Sequence, residues 1–201
     1  MKQSLLGHLI FSISSNKTEN LATEALCFIL NRSLIANKAF IQSISQQTGL
    51  ELPPSLKFDT QKSSSLDESI PDLVGLDIDG KEVVLGEAKF WAGLTGNQPV
   101  TYLERLAKTS GSILIFIAPS KRFATLWPEL LRRCKELGSQ QAIIEDDEFK
   151  AITIDKYPML ALISWRRVIN SIQRAVGDDG DSETLSGIGQ LQGLCDQMEG
   201  T

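Results

Sequence analysis

Imidazole is almost missing from this chain: among 201 residues, His8 is the sole histidine. Multi-histidine metal centres are thereby excluded. A Ser/His/Asp triad would depend on that one residue, which sits among Leu6, Leu9 and Ile10, and no G-x-S-x-G follows it. It reads as a partly buried helix histidine. Cysteine is scarce as well. Cys27, Cys134 and Cys195 lie far apart and form no C-x-x-C, so neither a disulfide framework nor a zinc site is suggested. Reduced thiols remain, two of them expected in the core. Long apolar runs are also lacking: Ile113 to Ala118, one of the longest, falls far short of the ~20 residues that cross a bilayer. Near the amino terminus, Lys2 and a short apolar stretch are not followed by a small-residue cleavage site. The expectation is a mature cytoplasmic protein with no membrane partner.

Positive charge is missing from one region only. Gly177 to Thr201 holds six acids (Asp178, Asp179, Asp181, Glu183, Asp196 and Glu199) and no Lys or Arg. Residues 1–176 are therefore balanced to within one charge, although the whole chain carries −5. The Gly-rich acidic stretch 177–201 reads as a flexible tail or linker appended to a domain spanning 1–176. A near-neutral body does not by itself point to nucleic acid. Its basic residues come in small groups, Lys121 with Arg122, Arg132 with Arg133 and Lys135, and Arg166 with Arg167, which read as solvated helix faces.

What is present is a chain 42% hydrophobic, enough for one ordinary globular core. Asn16 or Thr18 caps a predicted helix through about Leu34, with Leu21, Ala25, Phe28 and Ile29 on its apolar side. A second helical pattern runs from Asn37 to Gln47. Leu56 to Thr60 is a short strand, followed by the Ser-rich loop Lys62 to Ser69. Residues 70–78 and 81–90 predict two strands joined at Asp79-Gly80, a two-residue hairpin turn. Next come a helix from about Gln98 to Lys108, a buried strand Ser112 to Ala118, and an amphipathic helix Phe123 to Leu137 that contains Pro128. Strands at Gln141 to Ile144 and Ala151 to Ile154, the run Met159 to Ser164 and a helix near Trp165 to Val176 close the pattern. The fold class is α/β: a central mixed sheet that begins as a three-strand antiparallel meander and is flanked by helices.

Charge enters this hairpin where apolar residues would be expected. With a two-residue turn, Ile78 opposes Lys81 and Asp72 opposes Glu87. Like charges facing each other at ~5 Å destabilise a sheet. Lys89, two residues beyond Glu87, projects to the same face. Two acids and an ammonium among Val74, Leu76, Val83 and Leu85 suit a divalent cation, since Mg2+ binds through one or two carboxylates and keeps several waters. Asp77, Asp79 and Glu82 read as turn chemistry. Trp91 either packs on substrate or simply buries area.

Pro71-Asp72, fourteen intervening residues and Glu87-Ala88-Lys89 resemble the PD-(D/E)xK signature of the restriction-endonuclease-like nuclease superfamily. The predicted order of helix, three strands, helix and strand is similar to that family's core. Gln98 and Tyr102 resemble the Q-x-x-x-Y element of its RecB-like branch, and Glu19-x-x-x-Thr23 resembles the helix that supplies an extra acid in many members. The resemblance covers about residues 16–118.

The resemblance implies a restriction-endonuclease-like core in which Asp72 and Glu87, with the Ala88 carbonyl and Glu19, hold one or two Mg2+ or Mn2+ ions. Glu24, five residues on and roughly across the helix, competes with Glu19. Lys89 would orient the attacking water or stabilise charge on the scissile phosphate, and Gln98 and Tyr102 would position the phosphate or the lysine. The implied activity is metal-dependent hydrolysis of DNA, in preference to RNA, by a homodimer or a part of a larger chain or complex in bacterial defence or DNA processing. The alternative is a catalytically inactive nuclease-like fold that binds nucleic acid or protein. A third reading is an RNA-cleaving or nucleotide-triggered defence effector.

Overall fold

The computed structural model describes residues 18–60 and 70–200; His8 and the Ser-rich loop expected at 62–69 lie outside them. Two helices come first, α1 (Thr18–Arg32) and α2 (Leu34–Thr48). The first was expected to run on to Leu34, but Ser33 breaks it. Ser33 takes an extended conformation and its hydroxyl accepts the Ala36 N–H at 3.2 Å, capping α2. Phe28, expected on the apolar side of α1, is exposed, while Ala22, Leu26, Ile29 and Leu30 are buried.

Seven strands follow: β1 (Lys57–Asp59), β2 (Leu73–Leu76), β3 (Glu82–Ala88), β4 (Ile113–Ala118), β5 (Gln140–Glu145), β6 (Phe149–Ile154) and β7 (Tyr157–Ser164). They form one mixed sheet in the order β1-β2-β3-β4-β7-β6-β5. The order departs from the expected meander after β3. β3, β4 and β7 run parallel side by side, and antiparallel pairs extend the sheet on either side. A parallel pair needs a crossover, which α3 (Val100–Leu106) supplies between β3 and β4. The run Met159 to Ser164 is not a separate element but the body of β7.

Both faces of the central strands are covered, which explains their near-continuous apolar sequence. Along β4, Ile113, Ile115 and Ile117 face one core layer and Leu114, Phe116 and Ala118 the other. The first layer is closed by α1, α2, α5 (Trp165–Asp179) and α6 (Ser182–Glu199). The second is closed by α3 and α4 (Phe123–Arg133).

The flexible acidic tail expected at 177–201 is corrected by α6. Asp181 caps this helix, its carboxylate accepting the Thr184 N–H at 3.0 Å, and Glu183 sits in its first turn, where the helix dipole favours an acid. Ile188, Leu191, Leu194, Cys195 and Met198 are buried, each larger apolar side chain contributing roughly 1.5–3 kcal/mol. Glycines lower helix propensity and disguise this segment. Gly187, however, faces α1, where an added Cβ would stand 3.8 Å from Ile29. All three cysteines, rather than two, are buried free thiols. Burial, then Glu24 and Asp59, push Cys27 up to about 11, and burial pushes Cys134 up to about 12. Among the described residues no helix is long and apolar enough to cross a membrane.

Candidate active site

The loop of the β2–β3 hairpin has three residues, not two. Asp77 N–H donates to Lys81 carbonyl at 2.9 Å, enclosing Ile78, Asp79 and Gly80, and Gly80 takes φ 76°, the left-handed conformation such loops require. The Asp77 carboxylate braces the turn by accepting N–H groups of Asp79 and Lys81 at 2.9 and 2.8 Å. A longer loop should shift every pair by one. A bulge at Val83 cancels the shift: Leu76 pairs with Glu82, but Gly75 pairs with Val84 and Leu73 with Gly86. Val83 and Val84 accordingly face the same core layer. The register at the far end therefore brings Asp72 level with Glu87, as the two-residue turn would have done. The backbones approach closely there, since a Cβ on Gly86 would stand 3.1 Å from that of Leu73.

Asp72 ends just before β2, and its Oδ2 accepts the Ala88 N–H at 2.9 Å. Glu87 and Lys89 both turn toward the layer under α3. Their side chains are only 5% and 8% exposed, and Lys89 Nζ lies 2.7 Å from Glu87 Oε1. Gln98 Nε2 donates to the same oxygen at 2.7 Å and lies 3.3 Å from Tyr102 Oη, whose hydroxyl donates to Glu87 Oε2 at 3.3 Å. Glu87 is thus held by three side chains at once. Burial, with Glu87 next and Asp72 further down, pushes the Tyr102 phenol well above its ordinary value, so both carboxylates lie within electrostatic reach of one hydroxyl.

Gln98 does not stand on a helix, as the Q-x-x-x-Y spacing implied; it lies in the turn before α3, joined to Pro99 by a cis peptide bond. Its amide is oriented by the Thr95 N–H, which donates to Oε1 at 3.2 Å. Arg133 holds that turn. From α4 its guanidinium donates to the carbonyls of Leu94, Thr95 and Gln98, while Glu129 accepts from its Nε at 2.8 Å. Reading the Arg132, Arg133 and Lys135 group as a solvated face missed this residue; helical spacing alone cannot show that a cation reaches a neighbouring loop. Glu82 is a second correction, since its carboxylate pairs with Arg105 and ties β3 to α3 instead of serving the turn.

The first helix contributes less directly. Glu19 lies in the first turn of α1, on the side of the sheet away from α3, and its side chain lies outside the described residues. Glu24 accepts the Thr60 hydroxyl at 2.7 Å. Trp91 is 46% exposed and its indole N–H donates to the Met198 carbonyl at 2.7 Å.

No family model, curated protein or solved structure matches this chain. Its chemistry is therefore argued from the side chains. Among the described residues no three acids, histidines or cysteines cluster as metal ligands, so any cation here would rest on Asp72, Glu87 and backbone oxygen. That donor set fits Mg2+ or Mn2+, which need few carboxylates and retain water. A carboxylate offers about four acceptor positions, and the three donors at Glu87 leave one. Ala88 presents its carbonyl on the strand edge that faces Asp72, because the N–H and carbonyl of one strand residue share an edge.

Proposed function

We propose that this chain is a Mg2+- or Mn2+-dependent nuclease of the PD-(D/E)xK type that hydrolyses phosphodiester bonds of DNA. One observation carries the reading: a buried glutamate at the end of a central strand is held by lysine, glutamine and tyrosine beside a second acid. A buried Glu–Lys pair is costly to desolvate and adds little net stability compared with apolar packing. Its position at a strand end is better explained by chemistry than by folding. The antiparallel β1-β2-β3 run followed by α3 and a parallel β4 supports a restriction-endonuclease-like core.

In this reading Asp72, Glu87 and the Ala88 carbonyl hold the cation. Such an ion supplies charge at the scissile phosphate and lowers the pKa of water. Lys89 orients the attacking water and faces the charge that develops on phosphate. Gln98 and Tyr102 act through Glu87, fixing its rotamer and both of its oxygens, so they are positioning residues rather than contacts to the lysine. Water adds at phosphorus, one P–O bond breaks, and no histidine is needed. The defining experiment compares Mg2+-dependent cleavage of linear, circular and single-stranded DNA by the wild type and Lys89→Met. Cleavage by the wild type alone is expected; two equally inert, folded proteins would sink the reading.

A second reading, an inactive nuclease-like binding module, is favoured by the same burial. Glu87 is only 4% exposed and nearly saturated with donors. Persistent inertness with DNA binding intact would establish it.

A further inference from the structure

The three parallel strands end at one edge of the sheet. Ala88 is level with Ile117, and Ala118 with Ser164, so the chain leaving β3 at Lys89, β4 at Pro119 and β7 at Trp165 emerges side by side. Cations gather there. Lys121 and Arg122 follow β4, and Arg166 follows β7 with its side chain 68% exposed. Arg122 Nη2 donates to the Ala92 carbonyl at 3.2 Å, next to Trp91, and among the described residues its buried Nε finds no acceptor. Phe90 stacks on Trp165 with centroids 5.5 Å apart, locking the exits of β3 and β7 together.

The end of α6 closes on this edge, as Trp91 bonds to Met198. Burial, then Asp196, push the Glu199 carboxyl up, while Lys121 and Arg166 pull it down. Two cations, one just after β4 and one at the start of α5, thus lie within electrostatic reach of one carboxylate, without a direct ion pair to it among the described residues. No element requires them there for packing. Lys121 is exposed, and the only ion pair of Arg166 among the described residues is a long one, 3.8 Å to Glu148.

We propose that this edge seats the DNA backbone flanking the cut, with phosphates on Lys121, Arg122 and Arg166, and that Glu199 masks the seat. The proposal rests on the nuclease reading. It resolves the near-neutral charge of the body: what binds phosphate is a local row of cations beside the catalytic cluster rather than the molecule's net charge. Glu199 competes with phosphate for two of them.

Fluorescence anisotropy with a labelled DNA duplex, read across a salt series, tests it in full-length chain carrying Lys89→Met to prevent cutting. Adding Lys121→Ala and Arg166→Ala should weaken binding about tenfold or more and reduce the salt slope by about 2, one for each lost phosphate contact. Glu199→Gln should strengthen binding about threefold, a direction that unfolding cannot produce. Lys156→Ala, at the opposite edge before β7, should change nothing. Unchanged affinity and slope in the double variant, while the Lys89 form binds and the wild type cleaves, would overturn this inference and leave the nuclease reading standing. Absence of both binding and cleavage in the wild type would overturn both.

Discussion

The two faces of the sheet differ at one end. Under α1, α2, α5 and α6 the layer is mainly apolar, from Phe40 and Phe58 to Ile163 and Trp165, and among the described residues it buries neutral polar groups such as Asn37 but no charge. Under α3 and α4 the layer begins the same way, with Leu114, Phe116 and Leu162, but at the end of β3 it gives way to Glu87, Lys89, Gln98 and Tyr102. Apolar contacts are tolerant of which neighbour they meet, whereas a buried charge is stable only with its particular partners. The first face is therefore built for stability. The second surrenders some of it locally to hold one carboxylate in one orientation.

Breaking that carboxylate should have the largest effect. Glu87→Ala leaves the Lys89 ammonium buried without its partner and is expected to cost roughly 3–5 kcal/mol in urea unfolding. Leu191→Ala, on the apolar side under α6, should cost about 3 kcal/mol through lost burial and cavity formation. A loss of only a few tenths would show that α6 is dispensable and would restore the tail reading. Arg133→Ala removes a charged donor from three carbonyls and should cost about 2 kcal/mol. Its larger signature is faster hydrogen exchange at residues 94–98, with the apolar face unchanged.

Tyr102→Phe should be mildest, about 1 kcal/mol at neutral pH, because two long 3.3 Å hydrogen bonds are lost, Gln98 keeps its 2.7 Å bond to Glu87, and the ring remains. The sign of its pH dependence is opposite to that of a salt-bridged acid. Above pH ~10 the phenol ionises in the unfolded chain but not in the folded one, so unfolding gains and stability falls as pH rises. Urea midpoints compared at about pH 9 and about pH 11 should therefore fall further for the wild type than for Tyr102→Phe. An equal fall would show that Tyr102 is not buried beside Glu87.

Much of the candidate site was legible because it is local. Glu87 and Lys89 are two apart on a strand, so alternation alone puts them on one face. The approach of Asp72 follows from hairpin register, although the inferred turn was wrong in length and the Val83 bulge restored the alignment. Arg133 and the true partner of Glu82 were illegible, since both act across elements distant in sequence. The acidic stretch misled for a related reason. Composition reports solvation of isolated residues, and α6 is held by an apolar face that exists only when α1 and α5 are beside it.

By itself the sequence determined most element types up to about residue 176, the α/β class and the juxtaposition of acid and lysine on β3, because backbone periodicity acts over a few residues. Tertiary structure alone decided that β4 and β7 lie parallel beside β3, that α6 docks, and that Gln98 and Tyr102 grip Glu87. Those outcomes depend on long-range packing and on burial, which sets the strength of each charge, and neither is written in any short stretch of residues.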